Sequence, residues 1–358
     1  MKALILHDYL DNIGGGEKLM LALAREVGAD FATLDYDSRV VDDMDLTGVN
    51  VINLGSTPKL PPLKQIAASM KYSLCDLRRD YDFFIFSGNW AHYAARTHHP
   101  NLWYCHTPVR AFYTDYENMA LRMGWQSTLF RLWVTVHRRL DGRSVRNVDK
   151  ILVNSKNTQG RVKRYYGRDC EVVYPGIDTK RFGYKESGDF WLSVNRLYPE
   201  KRVDLQADAF RMMPDERLVV VGGNLAGDHS NKYVAKLLRN KPANVEYRGR
   251  VPEDEVIDLY SRCKGFICTA LDEDFGMTPV EAMASGKPVV ATREGGYLET
   301  VVDGVTGVFV NANALDIKAA VREVGGDPGR YRRACEKRAL LFDFKVFVEC
   351  MKGHVSDI

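Results

Sequence analysis

Apolar residues along this chain gather in short runs, separated by longer stretches in which they recur every three or four positions. In the first half the runs are "ALILH" (3–7), "FATL" (31–34), "VNVIN" (49–53), "DFFIF" (82–86), "LWYC" (102–105) and "KILVN" (150–154). In the second half they are "FWLSV" (190–194), "RLVVVG" (217–222), "NVEYRG" (244–249), "GFICTA" (265–270), "PVVAT" (288–292) and "GVFV" (307–310). Nearly continuous apolar runs read as strands buried on both faces, and the stretches between them read as helices. Strand and helix in alternation predict an α/β chain of open parallel sheets with helices on both sides. Twelve strands are too many for one ordinary sheet, so two doubly wound domains are expected. The connection is placed in "YPGIDTKRFGYKESGD" (174–189), rich in Gly, charge and turn residues. The domains are then 1–180 and 181–340. A helical segment over 341–358, with no strand after it, is expected to pack back on the first domain.

Composition narrows this only a little. A chain of 358 residues is long for a single core. The 45% hydrophobic and 27% charged content is that of a globular protein. A net charge of +3 gives no reason to expect a nucleic-acid partner. No apolar stretch approaches the ~20 residues of a membrane span. The opening "MKALILHD" has no cleavage site after it and reads as a buried first strand rather than a leader. The seven cysteines are scattered and form no CxxC, so neither a disulfide framework nor a zinc site is suggested. A reduced, cytoplasmic protein is expected.

In open α/β sheets ligands bind beyond the carboxyl ends of strands, so chemistry is sought there. After the first strand comes "HDYLDNIGGGEKL". Gly14, Gly15 and Gly16 permit positive φ and let backbone approach a phosphate or sugar. A plain tight turn is the other reading, since neither GxxxxGK[ST] nor GxGxxG is present. After "FWLSV" comes "NRLYPEKRVD", where Arg196 and Lys201 suit an anionic ligand such as a diphosphate, or else merely face water. Then comes "DEDFGMTPVEAMASGKPVVATREGG" (272–296). Thr278 reads as an N-cap, Pro279 as the first helical residue and Glu281 as the capping-box partner. Capping explains Glu281 but not Glu273, nor Phe275 and Gly276 before the cap. A helix N-terminus there carries about half a positive charge, and carboxylates beside it can hold sugar hydroxyls.

These residues carry a resemblance. "EDFGMTPVEAMASGKPVVATREGGYLETVVDGVTGVFV" resembles the signature of the retaining family-four glycosyltransferases of GT-B fold, with their E-x7-E at Glu273 and Glu281. "NRLYPEKRVD" resembles their diphosphate clamp, "GGGEK" their N-terminal glycine loop, and "ILVNSKNTQGRVKRYYG" with "VVYPGIDTKRF" the end of their first domain. "YCHTPVRAFY" (104–113) resembles the His-Thr-Pro segment of the mannosyltransferase branch. The resemblance implies two Rossmann-like domains facing a cleft, the first on the acceptor side and the second binding the nucleotide sugar, with a C-terminal helix crossing back.

It also implies roles. Glu273 holds hydroxyls of the transferred sugar, with backbone N–H groups around Phe275, Gly276 and Met277, beside Thr278. Glu281 holds the ribose, and Arg196 and Lys201 stabilise the leaving diphosphate. Gly15 and Gly16 line the donor, and His106 faces the donor sugar near the reacting carbon. GDP-mannose is the expected donor, and a saccharide or lipid-linked chain of the lipopolysaccharide kind the expected acceptor. No cofactor is implied. The acidic "DYD" at 35–37 and 80–82 matches the metal motif of the other glycosyltransferase fold, but the cationic clamp makes a metal unnecessary. Two alternatives use the same residues: a GT-B sugar-nucleotide epimerase or hydrolase, and a sugar-nucleotide-binding protein without turnover.

One stretch lies outside these motifs. In "LRMGWQSTLFRLWVTVHRRLDGRSVR" (121–146), Trp125, Leu129, Leu132, Trp133, Val136 and Leu140 form an apolar stripe at helical spacing. Arg131, Arg138, Arg139 and Arg146 fall in one sector beside it, roughly 100° wide. The stripe either faces the core of the first domain or lies on an anionic membrane.

Overall fold

The computed structural model describes residues 2–12, 14–41, 46–223 and 230–356. The chain divides into two compact units, one of residues 1–175 with 347–358 and one of residues 176–346.

The first unit holds seven strands: β1 (Ala3–Tyr9), β2 (Asp30–Leu34), β3 (Val51–Asn53), β4 (Phe83–Ser87), β5 (Asn101–Cys105), β6 (Lys150–Val153) and β7 (Glu171–Val172). They form one parallel sheet in the order β3-β2-β1-β4-β5-β6-β7. The second unit holds β8 (Phe190–Val194), β9 (Arg217–Val221), β10 (Val245–Gly249), β11 (Gly265–Cys268), β12 (Val289–Thr292) and β13 (Gly307–Val310). Their order is β10-β9-β8-β11-β12-β13, again parallel throughout. All twelve runs read from the sequence are strands here. The one missed is β7, two residues at the sheet edge, too short to leave a hydrophobic pattern.

Both sheets therefore reverse direction once, between β1 and β4 in the first and between β8 and β11 in the second. Such a switch point leaves a crevice at the strand carboxyl ends, because the helices on either side depart to opposite faces. Burial explains why these strands sit at the centre. Residues 3–8 of β1 and all of β4 are buried, and Trp103 of β5 and Trp191 of β8 are fully enclosed. Helix boundaries follow local chemistry. The helix Lys156–Tyr166 opens where Ser155 Oγ accepts the Thr158 N–H at 3.0 Å, and stops at Gly167, whose φ of 64° costs little without a Cβ. At the C-terminus the helix Phe344–Ser356 supplies Phe347 to the first unit, where its ring meets Tyr104 edge-on at 5.5 Å.

The helix Ser127–Arg146 departs from expectation. Its core face is Phe130, Val134, His137, Asp141, Ser144 and Val145. Of the predicted stripe, Trp133 packs against Phe112 and Phe130, but Leu129, Leu132, Val136 and Leu140 are exposed, by 66, 63, 47 and 39%. The Trp125 side chain lies outside the described residues. The reason is polar: buried Asp141 accepts from Tyr113 and Tyr166 hydroxyls at 2.9 and 2.8 Å and lies 3.3 Å from buried His92. That network draws a polar face inward and leaves the leucines outside. Two of the four arginines are also committed to the fold. Arg131 pairs with Glu117, and Arg138 donates to the Phe112 carbonyl and stacks over Tyr116.

Candidate functional site

In the second unit the switch point brings together the loop after β8 and the loop after β11. Lys201 ends a short 3₁₀ turn, Pro199–Lys201, and its Nζ lies 2.6 Å from Glu273 Oε2. Both side chains are partly buried, at 24 and 17% exposed, so the pair is shielded more than a surface ion pair. The Tyr297 hydroxyl reaches the same carboxylate oxygen at 3.4 Å. Arg196 stands exposed on the loop and joins neither residue by hydrogen bond or ion pair among the described residues.

The loop that carries Glu273 is shaped by its neighbours' backbone. Gly296 N–H donates to the Glu273 carbonyl at 2.8 Å. A Cβ on Gly296 would sit 2.4 Å from Phe275 Cα, and one on Gly295 would sit 2.5 Å from the Glu273 carbonyl oxygen. Gly295 also has a φ of 55°. The "EGG" pair is therefore needed to let two loops lie backbone to backbone, a role that reading the sequence did not assign. Arg202, also missed, braces the same loop: it donates to the Thr269 carbonyl at 2.6 Å and pairs with Glu294 at 2.9 Å.

The helix that follows is Met277–Ala284, and its start corrects the expected cap. Gly276, with a φ of 91°, is the N-cap, and no side chain caps the helix. Thr278 and Pro279 lie inside the first turn. Glycine takes the left-handed conformation and starts the helix two residues early. Glu281 is thus too far along for a capping box. It instead accepts from the Tyr260 hydroxyl at 2.8 Å, and burial together with this carboxylate keeps Tyr260 protonated as the donor. Phe275 turns its ring inward against Phe342, leaving only its backbone to the loop.

In the first unit the glycine run is likewise not the loop expected. Gly15 and Gly16 open the helix Gly15–Val27, with Gly14 as N-cap at a φ of −126°. None of the three has a positive φ. What Gly16 provides is closeness: a Cβ there would rest 3.4 Å from the His106 ring. His106 follows β5, and its Nε2 lies 3.0 Å from Ser87 Oγ at the end of β4. Ser87 Oγ lies equally 3.0 Å from Nδ1 of His7 on β1. His7 Nε2 in turn faces Glu17 Oε1 at 3.6 Å. Reading the sequence found Gly16 and His106 but not His7, Glu17 or Ser87. Three of the four "DYD" acids are engaged by neighbouring groups. Asp35 accepts from Thr57 N–H at 2.6 Å, Asp37 pairs with Arg39 and Asp82 accepts from Lys2 N–H. Among the described residues no acidic, His or Cys group forms a metal-binding cluster.

Two family models match the chain: Glycosyltransferase Family 4 over residues 13–181, and Glycosyl transferases group 1 over residues 177–341. Among related sequences, the chain is 32% identical to an uncharacterized glycosyltransferase of Methanocaldococcus jannaschii, over 50% of each chain. It is 29% identical to the alpha-1,3/1,6-mannosyltransferase ALG2 of Dictyostelium discoideum, over 63% of this chain and 62% of that one. The chain thus spans about half to three fifths of these relatives' own length. Among solved structures, Anabaena HepE in complex with UDP and glucose superposes with a TM-score of 0.78 at 19% identity, covering 100% of both chains. A sucrose-phosphate synthase from Thermosynechococcus elongatus gives 0.81 at 16% identity, covering 100% of this chain and 99% of that one. These likenesses show the GT-B fold, two Rossmann-like domains.

Proposed function

The chain belongs to the family-four glycosyltransferases of GT-B fold, and from that premise we propose that it is a retaining hexosyltransferase using a nucleoside-diphosphate sugar. The observation that carries this reading is the Lys201–Glu273 pair at 2.6 Å, set at a switch point just before a helix N-terminus. A cation and a carboxylate held side by side suit a ligand with phosphate at one end and hydroxyls at the other. In this reading Lys201 exchanges Glu273 for the diphosphate, and Arg196 closes on it from the solvent side. Glu273 turns to the sugar hydroxyls, with the N–H groups of Phe275, Gly276 and Met277. Glu281, held by Tyr260, takes the ribose.

The bond from the anomeric carbon to phosphate oxygen breaks, and the bond to the acceptor oxygen forms on the same face. The acceptor's proton passes to the departing phosphate. The negative charge that grows there is met by Lys201, Arg196 and the helix N-terminus, so no divalent ion is required. His106, with Gly16 against its ring, is assigned to the donor sugar near the reacting carbon.

GDP-mannose is the donor we favour, on the likeness to the mannosyltransferase ALG2; UDP-glucose is the comparison set by HepE. A saccharide or lipid-linked acceptor suits a further feature, the exposed leucine face of the helix Ser127–Arg146. With Arg139, Arg143 and Arg146 exposed on the same helix, it is suited to an anionic bilayer. A thermal-shift panel tests the donor. A nucleotide sugar at 100 times its Kd stabilises by ~2.7 kcal/mol. The melting temperature should rise with GDP-mannose, with EDTA present, and not with free mannose. No shift with any nucleoside diphosphate or its sugars would overturn the assignment.

A further inference from the structure

We propose that His7 and Ser87, with the Glu17 carboxylate beside the far nitrogen of His7, form a relay that fixes which nitrogen of His106 carries its proton. The inference rests on the reading above that His106 serves the transfer reaction. It adds positioning residues that neither the motif nor the family comparison assigns.

The parts come from three parallel strands and one helix. His7 and Ser87 are register partners on β1 and β4. The loop after β5, the next strand over, brings His106 to the same hydroxyl. Ser87 is fully buried and His7 is 3% exposed, so water does not replace these contacts. The chain of contacts runs Glu17 Oε1 to His7 Nε2 at 3.6 Å, His7 Nδ1 to Ser87 Oγ at 3.0 Å, and Ser87 Oγ to His106 Nε2 at 3.0 Å.

Proton counting gives it a direction. A serine hydroxyl owns one hydrogen, so between two imidazole nitrogens it donates to one and accepts from the other. Glu17 decides which. Its Oε1 lies 3.6 Å from His7 Nε2, and although burial raises its pKa, His7 and the Glu17 and Gly14 N–H groups outweigh that and lower the carboxyl to about 2. Of the two neutral tautomers of His7, the carboxylate beside Nε2 favours the one with its proton there. That tautomer leaves a lone pair on Nδ1, which accepts the Ser87 hydroxyl hydrogen. The Ser87 oxygen must then accept Nε2–H from His106, which puts the His106 lone pair on Nδ1. Asp8, next to His7 in the chain, is engaged by backbone: its carboxylate accepts the N–H groups of Asn89, Trp90 and Ala91 at 2.5, 2.7 and 2.9 Å. Gly16 lies against the His106 ring, and Thr158 Oγ1 donates to the His106 carbonyl at 3.3 Å, so the residue is held from two further sides.

The test is imidazole ¹⁵N spectroscopy of the full chain, alongside steady-state kinetics with the donor found above. His106 in the unsubstituted protein should show a protonated Nε2 and an unprotonated Nδ1. Ser87→Ala should mix the two tautomers and lower kcat by about tenfold, the scale of one hydrogen bond, with donor KM unchanged within about twofold. Ser87→Thr, which keeps the hydroxyl, should restore both. His7→Asn, which keeps an acceptor near the Nδ1 position, should fall between them and guards against misfolding of the alanine variant. A His106 ring protonated at Nδ1 in the unsubstituted protein sinks the relay, and so does Ser87→Ala with unchanged kcat. Both leave the assigned activity standing. Absence of any transfer by the unsubstituted protein sinks the activity instead, and the tautomer measurement still decides the relay.

Discussion

The two units build their switch points from different material. In the second, backbone does most of the shaping: Gly295 and Gly296 let one loop lie on another, and Gly276 starts the helix. Its polar side chains, Lys201 and Glu273, meet at the surface of that scaffold. In the first, side chains do the shaping. His7, Ser87, His106 and Glu17 come from separate elements and lock one another in a cluster whose centre, His7 and Ser87, is buried. A backbone-shaped loop is adapted to hold a ligand whose chemistry varies little. A side-chain cluster is adapted to hold one group in one protonation state.

The comparison breaks most visibly at Lys201. If it neutralises a leaving diphosphate, Lys201→Ala should lower kcat by ~10²–10³, because such a group acts on charge that appears only in the transition state. Stability should change little, since the Lys201–Glu273 pair is partly solvated. A variant with near-normal kcat would leave the pair a mere brace for the loop.

In the first unit the sharper measurement is stability against pH. Glu17 has a folded pKa of about 2 against an ordinary 4.5. A depressed acid contributes stability that is present above pH 4.5 and lost as pH falls towards 2. The shift corresponds to ~3 kcal/mol at most. Glu17→Gln keeps the capping contact to Gly14 N–H, because Gln also fills that position. The melting difference between parent and Glu17→Gln should therefore hold from pH 6 to about pH 4.5 and shrink from there to pH 3. A difference that stays constant below pH 4.5 would mean that the fold does not hold the carboxylate below its ordinary pKa.

Gly296→Ala asks how far backbone shaping matters in the second unit. The added Cβ meets Phe275 Cα at 2.4 Å, a contact with backbone rather than a flexible tip. Overpacking of this kind costs ~1–3 kcal/mol. Melting should drop by that amount, and donor affinity should fall with it because the Glu273 loop must move. Unchanged melting would show that the two loops separate freely.

The same contrast decides what could be read from sequence. Parallel strands buried on both faces leave unbroken apolar runs, so every central strand was legible, while β7, two residues at an edge, was not. The "DEDFG…EGG" stretch was legible because its parts are contiguous in sequence. Its cap was misread because Thr278-Pro279 looks like a start signal, and left-handed Gly276 wins by beginning the helix earlier. The His7–Ser87–His106 cluster was not legible. His7 and Ser87 are 80 residues apart, and only the strand order β1-β4-β5 brings them to one hydroxyl. The helix Ser127–Arg146 shows the opposite failure. Its apolar period was correct, but buried Asp141, Ser144 and His137 took the inner face.

That helix yields the smallest and most salt-sensitive expectation. Leu129, Leu132, Val136 and Leu140 present an outward apolar stripe in a helix that is not apolar enough to cross a bilayer. Arg138 is tied to the Phe112 carbonyl, so it is not available to a surface and its loss would damage the fold. Arg139, Arg143 and Arg146 are exposed, as is Arg131, which pairs with Glu117; Arg139 and Arg143 border the stripe. Each cation near an anionic bilayer contributes ~1 kcal/mol, falling within a Debye length. Co-sedimentation with anionic vesicles at low salt should therefore be measurable and should fade by 0.5 M salt. Arg139→Ser with Arg143→Ser should remove about 2 kcal/mol, roughly thirtyfold in partitioning. Leu132→Ser with Val136→Ser should weaken binding to the same vesicles without changing its salt dependence. Equal indifference to neutral and anionic vesicles would return the leucine face to ordinary exposed surface, and the acceptor would then have to meet the enzyme in solution.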